Sequence, residues 1–203
     1  MMAKFITFEG VDGAGKSSNI QVATSALTRR GIPHIVTREP GGTPAAESIR
    51  ELLLNPLTKL HPESETLLLF AARKEHLDHV IFPALKQGKW VICDRFTDAT
   101  YAYQGAGKGV STKIIDTLAA LVHPGLTPDL TFCFDLPPAL AQSRIDLTRS
   151  RDRFEMEALD FHERVRMAYL RLAAVHPERI RLLDASRPLL EVNRAVEQII
   201  AAT

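Results

Sequence analysis

Between an apolar run, Lys4-Phe5-Ile6-Thr7-Phe8, and an amphipathic stretch from Ser18 to Arg30 lies the pattern Gly-x-x-x-x-Gly-Lys-Ser. A buried strand, a glycine-rich turn and a helix in that order make a phosphate-binding loop, and no other segment constrains the fold as tightly. Gly10, Val11, Asp12, Gly13, Ala14, Gly15, Lys16, Ser17 and Ser18 form the expected nucleotide-binding segment. Its glycines allow successive N–H groups to point at phosphate oxygens. Lys16 adds positive charge, and the Ser17 hydroxyl is a candidate Mg²⁺ ligand, so ATP and Mg²⁺ are the expected cofactors. Ile20, Ala23 and Leu27 share one face of the following helix, and Gly31 sits where it should end.

Further along, apolar runs of strand length alternate with helical stretches. His34–Thr37, Trp90–Cys93 and Leu130–Phe134 read as strands, and Arg181–Leu183 as a weaker fifth. Helices are predicted over Pro44–Leu54, Ser64–Gln87, Thr112–Val122, Pro138–Ile145, Glu155–Val175 and Leu189–Ala201, with Pro83 kinking or ending the second. Continuous apolar strands separated by helices imply a doubly wound α/β fold, its parallel sheet covered on both faces. Ligands then belong at the carboxyl ends of the strands. The 203 residues show no linker and read as one domain. A net charge of +1 argues against a general nucleic-acid or membrane binder. Cys93 and Cys133 lie inside apolar runs and are expected to be reduced, which fits the cytoplasm. No apolar run is long enough to span a membrane, and the chain enters its first strand without a signal peptide.

Two strand ends carry chemistry. The third strand runs into Asp94-Arg95-Phe96, which places Asp94 to hold Mg²⁺ and Arg95 to grip phosphate oxygens in the same cleft. The second ends in Thr37-Arg38-Glu39-Pro40-Gly41-Gly42-Thr43, a tight turn that delivers Arg38. Two arginines near one phosphate loop make sense where two phosphorylated molecules meet.

These motifs, with Ala102-Tyr103-Gln104-Gly105 and Pro128-Asp129-Leu130-Thr131 in this order, resemble the thymidylate kinase family over nearly the whole chain. The resemblance implies a P-loop NTPase fold with a five-stranded parallel sheet, a homodimer, and γ-phosphoryl transfer from ATP to dTMP. It implies that Arg38 and Arg95 contact the acceptor phosphate and that Asp12 lies near the sugar 3′-hydroxyl. Tyr103 would crowd the 2′ position, while Gln104 and Arg73 would contact thymine. Many members place a stacking Phe four residues before that arginine, where this chain has Leu69. Phe70, three before, shares the helix face and is expected to serve instead. Ala99 stands where many members carry Ser, leaving Thr100 or Thr97 to supply a hydroxyl.

Arg144, Arg149, Arg151 and Arg153 cluster over about 144–155 and are expected to form a short lid. Some members carry a catalytic arginine at the position of Gly13; those with glycine supply it from the lid, and this chain resembles the second kind. Arg149 and Arg151 are favoured over Arg153, whose neighbours Asp152 and Glu155 offer it partners. Leu183-Asp184-Ala185-Ser186 resembles a loop that wraps adenine. His76 and His79 read as polar positions on a long helix. A deoxynucleoside kinase would need a carboxylate base and fewer phosphate-binding arginines. A nucleotide-dependent switch would show a guanine-reading Asn-Lys-x-Asp or a water-orienting Gln after the third strand, and neither is in place.

Overall fold

A computed structural model describes residues 2–146 and 152–203. Five parallel strands, β1 (Phe5–Gly10), β2 (His34–Arg38), β3 (Trp90–Asp94), β4 (Leu130–Asp135) and β5 (Ile180–Asp184), form one sheet in the order β2-β3-β1-β4-β5. The predicted strands fall in these places. β1 is central and buried throughout, hydrogen-bonded to β3 and β4. β2 and β5 are the edges, where Val36 and Leu182 remain about half exposed. Alternation along β1 sends Phe5 to one face and Ile6 and Phe8 to the other. Ile6 and Phe8 pack with Phe132, Phe134 and residues of α1 (Lys16–Arg29), α8 (Leu159–Val175) and α9 (Leu189–Ala202). Phe5 packs with Val91, Phe70, Leu77, Phe96 and Ile115. Helices α2 (Pro44–Leu54), α3 (Pro62–His76), α4 (Phe82–Lys86), α5 (Thr97–Thr100), α6 (Thr112–Val122) and α7 (Pro138–Asp146) complete the set. No described helix is long and apolar enough to cross a membrane, and both cysteines are buried and free.

Pro83 neither ends nor breaks its helix. A π-helical turn over Leu77–Ile81 shifts the bonding register, with the Phe82 N–H on the Leu77 carbonyl, and α4 continues through Pro83. Widening the turn upstream accommodates the missing N–H and the bulk of the ring. A second π-helical run, Tyr101–Gly107, follows α5. Helix α8 begins at Leu159, not Glu155, because Asp152 folds the preceding residues into a turn. Its carboxylate accepts the Phe154 and Glu155 N–H groups (2.9 and 3.0 Å), and its own N–H donates to Glu155 (2.9 Å).

Candidate active site

The loop after β1 and the first turn of α1 wall a cleft at the carboxyl end of the sheet. Gly13 has φ +80°, and a Cβ there would lie 2.5 Å from the Ala141 carbonyl oxygen, so the loop packs directly on the α7 backbone. The Lys16 ammonium donates to the carbonyls of Gly10 (3.4 Å) and Val11 (3.2 Å) and lies 3.5 Å from Asp12. Gly15, Ser17 and Ser18 line the same cavity, together with Arg38, Arg50, Asp94, Arg95 and Arg144. Val11, Ala14 and Gly10 form its backbone support, and all three are buried. Arg38 is held by two bonds to Glu47 (3.0 and 2.9 Å).

Asp94 ends β3 with its Oδ1 buried and without a hydrogen-bond partner among the described residues. Such an orphan is costly unless a cation or its water meets it. Ser17 lies on the same wall, which fits Mg²⁺. Among the described residues no cluster of three or more His, Cys, Asp or Glu could hold a metal alone, so the ion would depend on phosphate oxygens for further ligands.

Arg95 sits at the centre. Its φ of +72° is unusual for a residue with a side chain. Its Nη2 donates to Asp12 (2.8 Å) and to the Tyr103 hydroxyl (2.9 Å), and its Nη1 to the Tyr169 hydroxyl (3.1 Å). Tyr103 in turn donates to Asp12 (3.1 Å), and Tyr169 donates to Glu9 (2.8 Å). Burial opposes the charge of Asp12, but Arg95 and Lys16 outweigh it and hold the carboxyl below its usual range. Burial and the Asp98 carboxylate push Glu9 the other way, against Arg95 and the Tyr169 and Phe96 donors, which favour its ionised form.

A second cavity adjoins the first. Leu69, Arg73, Phe96, Ala99, Thr100, Tyr103 and Gln104 line it, and Asp12, Glu39, Arg50 and Arg95 belong to both. Arg73 is buried, its Nε donating to Glu39 (2.7 Å) and its Nη2 to Thr100 (3.2 Å), while Nη1 has no partner among the described residues. The expected place of Phe70 on the cavity wall is corrected. Its ring is buried in the core beneath the Arg73 guanidinium (4.7 Å), with Phe96 also close (5.0 Å), and Leu69 faces the cavity. Thr97 is occupied with His123 (2.9 Å), so the hydroxyl beside Ala99 on the cavity wall is that of Thr100.

Several residues in this site were not singled out from sequence. Arg50 lies mid-helix in α2, donates to the Pro40 carbonyl (2.9 Å) and joins the two cavities. His76, read from sequence only as a polar position on a long helix, is fully buried there and bridges Thr37 (2.5 Å) and Glu39 (3.1 Å). A Cβ at Gly42 would lie 2.5 Å from its ring, so the second glycine of the turn lets that bridge form. Glu65, fully buried, accepts Gln104 (2.9 Å), Lys108 (2.9 Å) and Arg153. Arg153 therefore pairs with Glu65, and donates to the Leu53 carbonyl (2.6 Å); its expected pairing with Asp152 or Glu155 gives way to these longer-range partners. Arg144 reaches the Ala185 carbonyl (3.2 Å), linking α7 to the loop after β5. Arg149 and Arg151 lie outside the described residues.

Residues 8–196 match the family described as Thymidylate kinase. A thymidylate kinase from Nitrosomonas europaea is 53% identical over 97% of this chain and 92% of its own length. One from Neisseria meningitidis serogroup B is 50% identical over 98% and 97% respectively. The crystal structure of thymidylate kinase from Ehrlichia chaffeensis superposes with a TM-score of 0.78 at 35% identity, covering 98% of this chain and 99% of that one.

Proposed function

The chain belongs to the thymidylate kinase family, an ATP-dependent group of nucleoside monophosphate kinases, and from that premise we propose how its residues divide the reaction. One observation carries the proposal: two cavities meet along a seam of Asp12, Glu39, Arg50 and Arg95. ATP phosphates belong in the cavity built on the P-loop, and dTMP in the one lined by Arg73 and Tyr103. The acceptor phosphate then lies at the seam, facing Arg95 and Arg50, with Arg38 on the neighbouring wall as a further arginine for it. The orphan Nη1 of Arg73 supports a thymine carbonyl as its acceptor, with Leu69 covering the base. Gln104 is committed to Glu65 through its amide nitrogen, which leaves its oxygen for the base.

The acceptor phosphate is anionic at neutral pH, so the demand is alignment and charge compensation, not a strong base. Asp12 fits this, since a carboxylate held acidic by Arg95 and Lys16 is a poor base for a hydroxyl. The same fact disfavours a deoxynucleoside kinase. Lys16, Arg95 and the arginines of the lid would supply positive charge to the transferring group in a water-poor cleft. Ser17 and, through water, Asp94 would hold Mg²⁺, whose positive charge would help offset the charge that develops on the phosphates. A homodimer is supported by Leu52, Leu67 and Leu121, which are exposed on neighbouring helices α2, α3 and α6. A cytoplasmic location is supported by the two free, buried thiols. A single domain with a lid over about 144–155 completes the reading.

The expected result is ADP formation from ATP and Mg²⁺ that depends on dTMP, with little hydrolysis when acceptor is absent. A coupled ADP-release assay across a panel of monophosphates and thymidine checks it. Equal turnover with thymidine, or none with any monophosphate, contradicts the assignment.

Sugar discrimination is expected to rest on Tyr103. Its ring lines the acceptor cavity while its hydroxyl is pinned by Asp12 and Arg95, so the ring cannot easily swing aside. Tyr103→Ala should relax the preference for dTMP over its ribose analogue by about tenfold, the worth of one lost steric contact. The ratio of kcat/KM for the two nucleotides reads the effect, and an unchanged ratio rejects the steric role.

A further inference from the structure

We propose that Glu9 is a positioning residue for Arg95, setting its backbone through the Phe96 amide and its guanidinium through the Tyr169 hydroxyl. Glu9 is fully buried one residue before the phosphate loop pattern begins. Its Oε1 accepts the Phe96 N–H at 2.7 Å, and its Oε2 accepts the Tyr169 O–H at 2.8 Å. Each bond leads to Arg95 by a different route.

The first route is through the main chain. A left-handed φ on a residue with a side chain persists only where its surroundings over-determine it. The Arg95 N–H is held by the Phe8 carbonyl (3.0 Å), and its own carbonyl accepts the Cys93 thiol (3.1 Å). The next amide along, that of Phe96, is held by Glu9. Release of that amide would remove one of three restraints on the φ that aims Arg95 into the cleft.

The second route is through the side chain. Tyr169 hands its proton to Glu9 and accepts from Arg95 Nη1, so the carboxylate fixes which way the phenol oxygen presents its lone pairs. Asp12 and Tyr103 hold Nη2. Three of the five guanidinium N–H groups therefore point at protein acceptors, and the others remain for phosphate. A carboxylate suits the task because both of its oxygens meet donors. Glutamine would present one acceptor and one donor to the same two groups. For packing alone, a buried carboxyl beside Asp98 is a costly choice.

The proposal rests on Arg95 binding the acceptor phosphate, so the experiment separates the two claims. In the full-length protein, kcat, KM for dTMP, KM for ATP and melting temperature are compared for Glu9→Gln, Tyr169→Phe, their double variant and Arg95→Ala. Glu9→Gln should lower kcat/KM for dTMP by about tenfold or more, as expected when a buried donor loses its acceptor, and leave KM for ATP nearly unchanged. Tyr169→Phe should give a smaller loss of the same kind. The double variant should match Glu9→Gln, because both changes cut one chain of bonds. Wild-type kcat/KM in Glu9→Gln, losses that multiply in the double variant, or an equal rise in KM for ATP would overturn the proposal. Should Glu9→Gln fail to fold, Tyr169→Phe decides, and unaltered kinetics there overturn it too. An inactive Arg95→Ala beside a normal Glu9→Gln rejects only the role of Glu9. A fully active Arg95→Ala rejects the reading beneath it as well.

Discussion

Alanine at Lys16 is expected to lower kcat by on the order of 10²-fold or more, the loss seen when a donor aimed at developing charge is removed. Lys16 is well placed for this. It opens α1, is only 7% exposed, and lies on the cavity wall beside Ser17 with its ammonium on the carbonyls of Gly10 and Val11. Removing the side chain also leaves Asp12 with Arg95 as its remaining cationic partner. A change in stability is thus part of the experiment, and melting temperature and far-UV circular dichroism must accompany the kinetics. Lys16→Met, which keeps the aliphatic stem, should lose activity to the same extent while melting closer to wild type. A folded Lys16→Ala protein with wild-type turnover would take the P-loop lysine out of the reaction.

The strands were legible because a parallel sheet covered on both faces demands continuous apolar runs, and β1, β3 and β4 supply them. β5 read weakly for the opposite reason: as an edge strand it carries Arg181 and an exposed Leu182. Motifs on loops announced Lys16, Arg38, Asp94 and Arg95, since their glycines, proline and strand-end positions are local signals. Arg50, Glu65 and His76 gave none. They sit within helices, where a charged residue reads as solvated, and only partners distant in sequence reveal them. The choice between Leu69 and Phe70 turned on helix rotation. Both lie within a turn of Arg73, and adjacent positions differ by about 100° around the axis. The larger ring went to the core, where it supports the Arg73 guanidinium, and the smaller side chain went to the cavity. Tyr169 belongs to the same lesson, because its hydroxyl matters only once α8 is packed over Glu9 and Arg95.

The arginine-rich segment after α7 yields the other large effect. Arg153 is accounted for by Glu65, the Leu53 carbonyl and the Phe154 ring (4.5 Å), so Arg153→Ala should act on stability. Stripping a buried carboxylate of one partner costs about 1–3 kcal/mol. Arg149 and Arg151 are the candidates for the transferring phosphoryl group. An arginine supplied in the transition state is worth on the order of 10³-fold in turnover, whereas a solvated one contributes almost nothing. The double variant Arg149→Ala/Arg151→Ala should therefore lose most of its kcat while KM for dTMP changes little, the mark of an interaction made in the transition state. The contact between loop and α7 bears on whether an arginine at Gly13 could supply that charge instead. At Gly13 the left-handed φ and the Ala141 carbonyl, 2.5 Å from where a Cβ would sit, leave no room for a side chain. Gly13→Arg would have to push α7 away from the loop, so it should fail to restore the double variant. Single-turnover rates for Arg149→Ala, Arg151→Ala, the pair and the pair with Gly13→Arg provide the measurement. A pair that stays within about threefold of wild type would assign the segment to solvent and leave Lys16 and Arg95 as the cations that carry the step.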